Sequence, residues 1–326
     1  MPSVSIVITT YNRAQLLKRA IESALEAASD LEVIVVDDCS TDETAEVCAR
    51  RSDIRYVRLS VNQGLAHARN VGVAESSSEF VAFLDDDDLR LPGSLEKQLR
   101  RIMQDDRIAL CYGQALIGDA RRQLPTGEIY PSECPEGDIF WQLLEDNFIP
   151  MPSVLARKSS LLHANGFNTS LNLIEDWDMW LRLSEQHLVA AVAEPVAIHR
   201  KANAQSEQMC SNSAALCKQA VRVQQMALAR TRAQAAARAR RRHATNKLRN
   251  RAYEILMTEA TNFIHEGDAE SARANLRDAF QFRPFRAIAS GRWPWLLIKS
   301  PQRGTKVTKI KNSFCAFCAF LWLKYF

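Results

Sequence analysis

The stretch "FVAFLDDDDLRLPG", residues 80–93, sets four adjacent aspartates directly behind a short apolar run. Asp is a poor strand residue and neighbouring carboxylates repel, so the run reads as a strand end whose acidic loop calls for a positive partner. The segments before it repeat the layout. "VSIVITT" (4–10) is apolar and β-branched, and "AQLLKRAIESALEAA" (14–28) then carries apolar residues at helical spacing. "LEVIVVDD" (31–38), "IRYVRLS" (54–60) and "EFVAFLD" (79–85) read as further strands. "CSTDETAEVCARR" (39–51), with Ser40 or Thr41 as N-cap, and "GLAHARNVGVAES" (64–76) read as the helices between them. Strands alternating with helices imply an α/β fold, a mostly parallel sheet flanked by helices.

In such sheets ligands bind beyond the carboxyl ends of the strands. That rule gathers Thr9, Thr10, Tyr11 and Asn12, then Asp37 and Asp38, then Asn62 to Gly64, and finally Asp85 to Asp88 on one rim. The glycine-rich phosphate cradles of dinucleotide and P-loop folds are missing. Carboxylates can hold a phosphate indirectly, through a hard divalent cation such as Mg²⁺ or Mn²⁺. A nucleoside diphosphate is therefore the expected partner.

"VSIVITTYNR", "EVIVVDDCSTDET", "NQGLAHARNVGV" and "FVAFLDDDDLRLPGSLEK" resemble, in order and spacing, the inverting family 2 glycosyltransferases of GT-A fold, over roughly residues 3–205. The resemblance implies transfer of a sugar from a nucleotide donor, a UDP-sugar first, to a hydroxyl of a glycan or lipid-linked acceptor in bacterial surface polysaccharide or glycoconjugate assembly. Thr9, Tyr11 and Asp38 match the nucleotide pocket, with Asp38 on the base, and Arg69 matches a basic residue reaching toward the nucleotide. Asp85 and Asp87 match the Asp-x-Asp motif, with Asp87 the first metal ligand and Asp85 the second. Asp86 is assigned toward the ribose, and Asp88 to capping or orienting its neighbours.

Sugar transfer also needs a general base for the acceptor hydroxyl. "LNLIEDWDMWLRLSEQ" (171–186) offers Glu175, Asp176 and Asp178 ahead of an amphipathic helix pattern. The family's catalytic Asp aligns with Asp176, leaving Glu175 as the fallback. The blander alternative makes Glu175 and Asp176 helix N-terminal charges favoured by the dipole. "NFIPMPSVLARKSSLLHANGFNTSL" (147–171) resembles the acceptor-side segment, where Ser153 and Gly166 read chiefly as packing. His199 falls near the place of a family histidine beside the diphosphate, although Ala202 competes for that register.

The net charge of +4 hides a division. Residues 1–200 hold 19 Lys and Arg against 31 Asp and Glu, whereas residues 201–326 hold 23 against 7. The expected organisation is a catalytic domain over 1–205 followed by a basic, α-helical region over 206–326 that is rich in Ala and Arg. Its end, "FCAFCAFLWLKYF", is too short an apolar run to span a bilayer but suits peripheral attachment to a membrane. "CAFC" (315–318) lacks the partners of a zinc site. "ARARRR" comes without nucleic-acid motifs, so nucleic acid is not an expected partner. With no secretory signal ahead of strand one, the expected location is cytoplasmic, peripheral on the cytosolic face of the membrane. Two other classes share parts of this pattern: a nucleotidyltransferase, which would carry a Gly-rich basic loop where this chain has "TTYNR", and a non-catalytic scaffold on a transferase fold, which would be free to lose its aspartates.

Overall fold

Four strands open the chain, three of them apolar and the third in order, Arg55–Arg58, partly exposed, and they pair edge to edge in parallel. The computed structural model describes residues 4–119, 124–171, 173–200, 213–284 and 286. Contacts divide the chain into two units, 1–245 and 246–326. The first runs β1 (Val4–Thr10), α1 (Ala14–Leu25), β2 (Leu31–Asp37), α2 (Thr44–Ala49), β3 (Arg55–Arg58), α3 (Leu65–Glu75), β4 (Phe80–Asp85), β5 (Leu89–Arg90), α4 (Ser94–Ile102), β6 (Ile108–Gly118), β7 (Pro125–Tyr130), α5 (Phe140–Glu145), β8 (Leu155–Arg157), α6 (Lys158–His163), α7 (Glu175–Gln186), β9 (Leu188–Arg200), α8 (Ser213–Leu228) and α9 (Thr231–Ala235). Helix α10 (Arg238–Glu266) contains the boundary, and α11 (Ala269–Phe282) follows.

The sheet order is β3-β2-β1-β4-β8-β6-β9-β5, with β7 added on β6. The half from β3 to β4 is wholly parallel, and its register sets Thr9 opposite Asp85 and Thr10 opposite Asp37. Beyond β4 the sheet is mixed: β8 is antiparallel to both neighbours, while β6 and β9 are parallel. The short β5 returns antiparallel to β9, with Leu89 opposite Ile198 and Arg90 opposite Ala197. That pairing carries the end of β9 back to the aspartate loop.

The core explains why these segments fold as they do. Alternate residues Ile6, Ile8, Val33 and Val35 point to one face, where Leu17, Ala20, Ile21 and Ala24 of α1 cover them. On the other face α3 approaches so closely that a Cβ at Gly72 would lie 2.2 Å from Val7 Cγ1. The backbone N–H of Thr44 at the start of α2 is capped by Asp42, not by Ser40 or Thr41 (3.0 Å), and the second Asp42 oxygen takes the N–H of Ala14 at the start of α1 (3.0 Å). One carboxylate thus fixes the first turns of two helices.

The contact-defined first unit runs past residue 205 because α8 packs into it. The buried Gln224 amide donates to the carbonyls of Leu144 (2.6 Å) and Ala244 (3.1 Å). In the second unit Asp268 caps α11 through the N–H groups of Glu270 and Ser271, and Asn275 donates to Glu259 at 3.0 Å. Among the described residues no helix is long and apolar enough to cross a membrane. Ala202, the "CAFC" motif and the closing apolar run lie outside the described residues.

Candidate active site

The rim at the carboxyl ends of β1, β2 and β4 gathers the polar residues that the alternating pattern assigns to it. Thr9 ends the pairing of β1 with β4, and its hydroxyl is buried with no hydrogen-bond partner among the described residues. Tyr11 stands 45% exposed beside it. Asp38 follows β2, and its two oxygens accept the backbone N–H groups of Gln63 (2.7 Å) and Gly64 (2.8 Å). Gly64 adopts φ +86°, which turns that N–H toward the carboxylate at the entry to α3. Asp37, by contrast, is fully buried and bonded to Ser40 N–H (2.8 Å) and the Tyr56 hydroxyl (2.7 Å), a structural arrangement.

The four aspartates diverge. Asp85 pairs with Arg69 Nη2 at 2.7 Å. Asp86 accepts from the Thr10 hydroxyl (2.9 Å) and from Arg13 Nη1 (3.1 Å). Burial pushes the Asp86 carboxyl up to about 7, with the Asp87 charge adding to the shift and Arg13 opposing it. Asp87 Oδ2 meets Arg200 Nη2 at 2.6 Å and Arg13 Nη1 at 3.3 Å. Asp88 accepts the Arg200 backbone N–H (2.8 Å) and faces His199 Nδ1 at 3.0 Å, whose pKa it raises to about 9.

Arg69 is the link to the second half of the site. It is 2% exposed, and its guanidinium is held between Asp85 and Glu175 at the start of α7. Burial opposes its charge, yet the two carboxylates outweigh that and hold its pKa above the ordinary arginine value. Arg69 joins the two acidic groups of the site. Glu175 is consumed in this bridge. Asp176 is half-buried, accepting its neighbour Trp177 N–H (2.6 Å) and facing the Asn147 amide at 3.4 Å. Burial lifts its pKa to about 6, the Glu175 charge adds to the shift and Arg69 works against it.

A divalent cation fits the chemistry of this rim. Asp85 and Asp87 are hard oxygen donors, and the Asp85 side chain is 26% exposed. Among the described residues no three His, Cys, Asp or Glu side chains converge to hold a metal by themselves, so a cation here would complete its shell with phosphate oxygens. Ser153 and Gly166 serve packing: the Ser153 hydroxyl donates to Pro150 O (2.8 Å), and Gly166 adopts φ +68° against Asn70. Sequence reasoning passed over Arg13, Arg200 and Asn147. Arg13 stood in plain view in "TTYNR" directly after strand one. The other two become visible only when distant segments meet.

The chain is similar to known proteins in sequence and in fold. Residues 5–161 match the family described as Glycosyl transferase family 2. An uncharacterized glycosyltransferase of Haemophilus influenzae is 32% identical over 187 residues, covering 56% of this chain and 62% of the relative. The succinoglycan biosynthesis protein ExoU of Rhizobium meliloti is 34% identical over 191 residues, covering 55% and 56%. The chain therefore spans less than two thirds of the length of either relative. Among solved structures, S. aureus TarS 1–349 in complex with UDP-GlcNAc superposes with a TM-score of 0.60 at 19% identity, covering 88% of this chain and 83% of that one. The mannosyltransferase PcManGT from Pyrobaculum calidifontis, in complex with GDP-Man and Mn²⁺, gives 0.57 at 17% identity, covering 99% and 81%. These likenesses establish the fold.

Removing the Arg69 bridge should be costly, because it leaves the buried Glu175 and the partly exposed Asp85 without their shared cation. Arg69→Met is expected to lower stability by about 3–5 kcal/mol. That corresponds to a fall of roughly 6–20 °C in melting temperature for a domain of this size. A change below about 1 kcal/mol in thermal or urea unfolding would contradict the bridging role.

Proposed function

We propose, from the premise that residues 5–161 form a Glycosyl transferase family 2 domain, that this chain moves a sugar from a nucleoside-diphosphate donor to an acceptor hydroxyl with inversion. The observation that carries the reading is the Asp85–Arg69–Glu175 bridge, which sets the aspartate rim beside Asp176. Donor carboxylates and a half-buried base with a raised pKa then belong to one site.

In this reading Thr9, Tyr11 and Asp38 receive the nucleotide. The buried Thr9 hydroxyl lacks a partner and is suited to a polar ligand atom, and Asp38 retains lone pairs for a base N–H beyond its two backbone bonds. Asp87 and Asp85 would hold Mn²⁺ or Mg²⁺, which supplies positive charge against the diphosphate leaving group. Asp86 is held by Thr10 and Arg13 on the ribose side of the rim. Asp176 accepts the proton of the acceptor hydroxyl as its oxygen attacks the anomeric carbon from the face opposite the departing diphosphate. Glu175 is a poorer base, because its carboxylate is buried and engaged by Arg69.

A UDP-sugar is the first donor to try, since TarS was solved with UDP-GlcNAc. The succinoglycan biosynthesis relative supports a role in polysaccharide assembly, and a glycan or lipid-linked acceptor is the first to try. Residues 1–205 carry the transfer in this reading and residues 206–326 form the basic helical extension. The extension's charge, 23 Lys and Arg against 7 Asp and Glu after residue 200, favours peripheral contact with an anionic membrane on the cytosolic face. Such contact is worth about 1 kcal/mol per basic residue near the surface.

Asp176→Asn separates binding from chemistry. Donor affinity should stay within about threefold of wild type while transfer falls roughly 10²–10⁴-fold. The sign of the pH effect follows from the raised carboxyl: the base works when deprotonated, so transfer by the wild type should fall as pH drops through about 6. Full activity in this variant would eliminate Asp176 as base. For the extension, deleting residues 285–326 should move the protein from the membrane fraction to the supernatant. An unchanged distribution would remove the membrane contact from the account.

A further inference from the structure

Two arginines converge on a single oxygen of the aspartate loop. Asp87 Oδ2 lies 2.6 Å from Arg200 Nη2 and 3.3 Å from Arg13 Nη1. Arg200 also places Nε at 3.3 Å from the same oxygen. Its side chain is 8% exposed, and its backbone N–H is anchored on Asp88 at 2.8 Å. Arg13 is more open, at 21%, and shares its Nη1 between Asp87 and Asp86. Both guanidinium groups engage the aspartate loop. They also occupy the carboxylate that a cation would use.

We propose that Arg13 and Arg200 form a latch that neutralises Asp86 and Asp87 in the donor-free protein and transfers to the donor's diphosphate, so that the cation binds with the nucleotide rather than ahead of it. This rests on the glycosyltransferase reading above. The physical reason is a competition for one oxygen. A divalent cation approaching Asp87 alone meets two positive groups already on its ligand, and the interior dielectric strengthens their repulsion. Leaving the carboxylate without an alternative partner is also unfavourable for the arginines, because a buried guanidinium needs a counter-charge. A diphosphate removes both obstacles. Its oxygens accept the planar, forked guanidinium donors bidentately, and the released carboxylate and the phosphates together offer the cation its ligands. The arginines therefore act as positioning groups for the metal-binding carboxylate.

The register of the fold supports an acquired arrangement rather than a chance surface pair. Arg200 closes β9, and the antiparallel pairing of Leu89 and Arg90 with Ile198 and Ala197 sets it against the aspartate loop from 113 residues away. Arg13 comes from the opposite side, directly after β1.

The test is binding of Mn²⁺, read by the loss of its free electron paramagnetic resonance signal, to wild type and to the Arg200→Gln, Arg13→Gln and Arg200→Lys variants. Each is titrated without nucleotide and with UDP or GDP. Wild type should bind Mn²⁺ weakly alone and at least about tenfold more tightly with the nucleotide it recognises. Arg200→Gln and Arg13→Gln should each tighten binding without nucleotide by roughly tenfold and flatten the nucleotide dependence, whereas Arg200→Lys keeps it. If Arg200→Gln does not fold, the more exposed Arg13 variant decides. The latch is overturned if both Gln variants bind Mn²⁺ alone no better than wild type while wild type binds it with nucleotide. If wild type takes up no Mn²⁺ with either nucleotide, metal use itself fails and the latch falls with it.

Discussion

The structure depends on a buried arginine held between two carboxylates that are far apart in the chain. Arg69 on α3 bridges Asp85 at the end of β4 and Glu175 at the start of α7. Arg69 and Glu175 are taken out of water at a cost of several kcal/mol each, and only their close pairing with each other and with the partly exposed Asp85 offsets it. The same pairing fixes where α7 begins relative to the sheet, and so where Asp176 stands. Packing and chemistry are joined at this point: the group that keeps the interior electrically balanced also positions the proposed base.

The sheet supplies the rest of the site through its change of character at β4. Its parallel half aligns the ends of β1, β2 and β4, which yields the rim of Thr9, Asp38 and Asp85. Its mixed half performs a different task. By pairing with β5, β9 returns to the aspartate loop and sets His199 and Arg200 against Asp88 and Asp87. Four adjacent carboxylates that would repel in an isolated loop are thus divided among Arg69, Arg13, Arg200 and His199.

How much of this the sequence discloses follows from the range of the forces involved. The first four strands and three helices are legible because local apolar periodicity and β-branching decide them. The rim residues follow from strand ends, since topology alone places Thr9, Asp38 and Asp85 together. Two-residue β5 and three-residue β8 leave no periodic signal, and the pairing of β6 with β9 joins segments about 80 residues apart. For the same reason the bridge made by Arg69 is not legible in the sequence, because its partners Asp85 and Glu175 lie 16 and 106 positions away. The packing of α8 is equally hidden, because only Cys217, Val223, Gln224 and Ala227 of its sixteen residues are buried and the Gln224 amide reaches Leu144 from 80 positions away.

The central claim is that the rim binds a nucleotide sugar and that Asp176 and its neighbours transfer the sugar to a hydroxyl. Release of free nucleoside diphosphate from a panel of UDP-, GDP- and dTDP-sugars, with and without Mn²⁺ and with a glycan or lipid-linked acceptor mixture, measures this directly. The account predicts acceptor-stimulated release from one nucleotide class, dependent on Mn²⁺ or Mg²⁺. Absence of release from every donor, with no donor bound in direct titration, would contradict it.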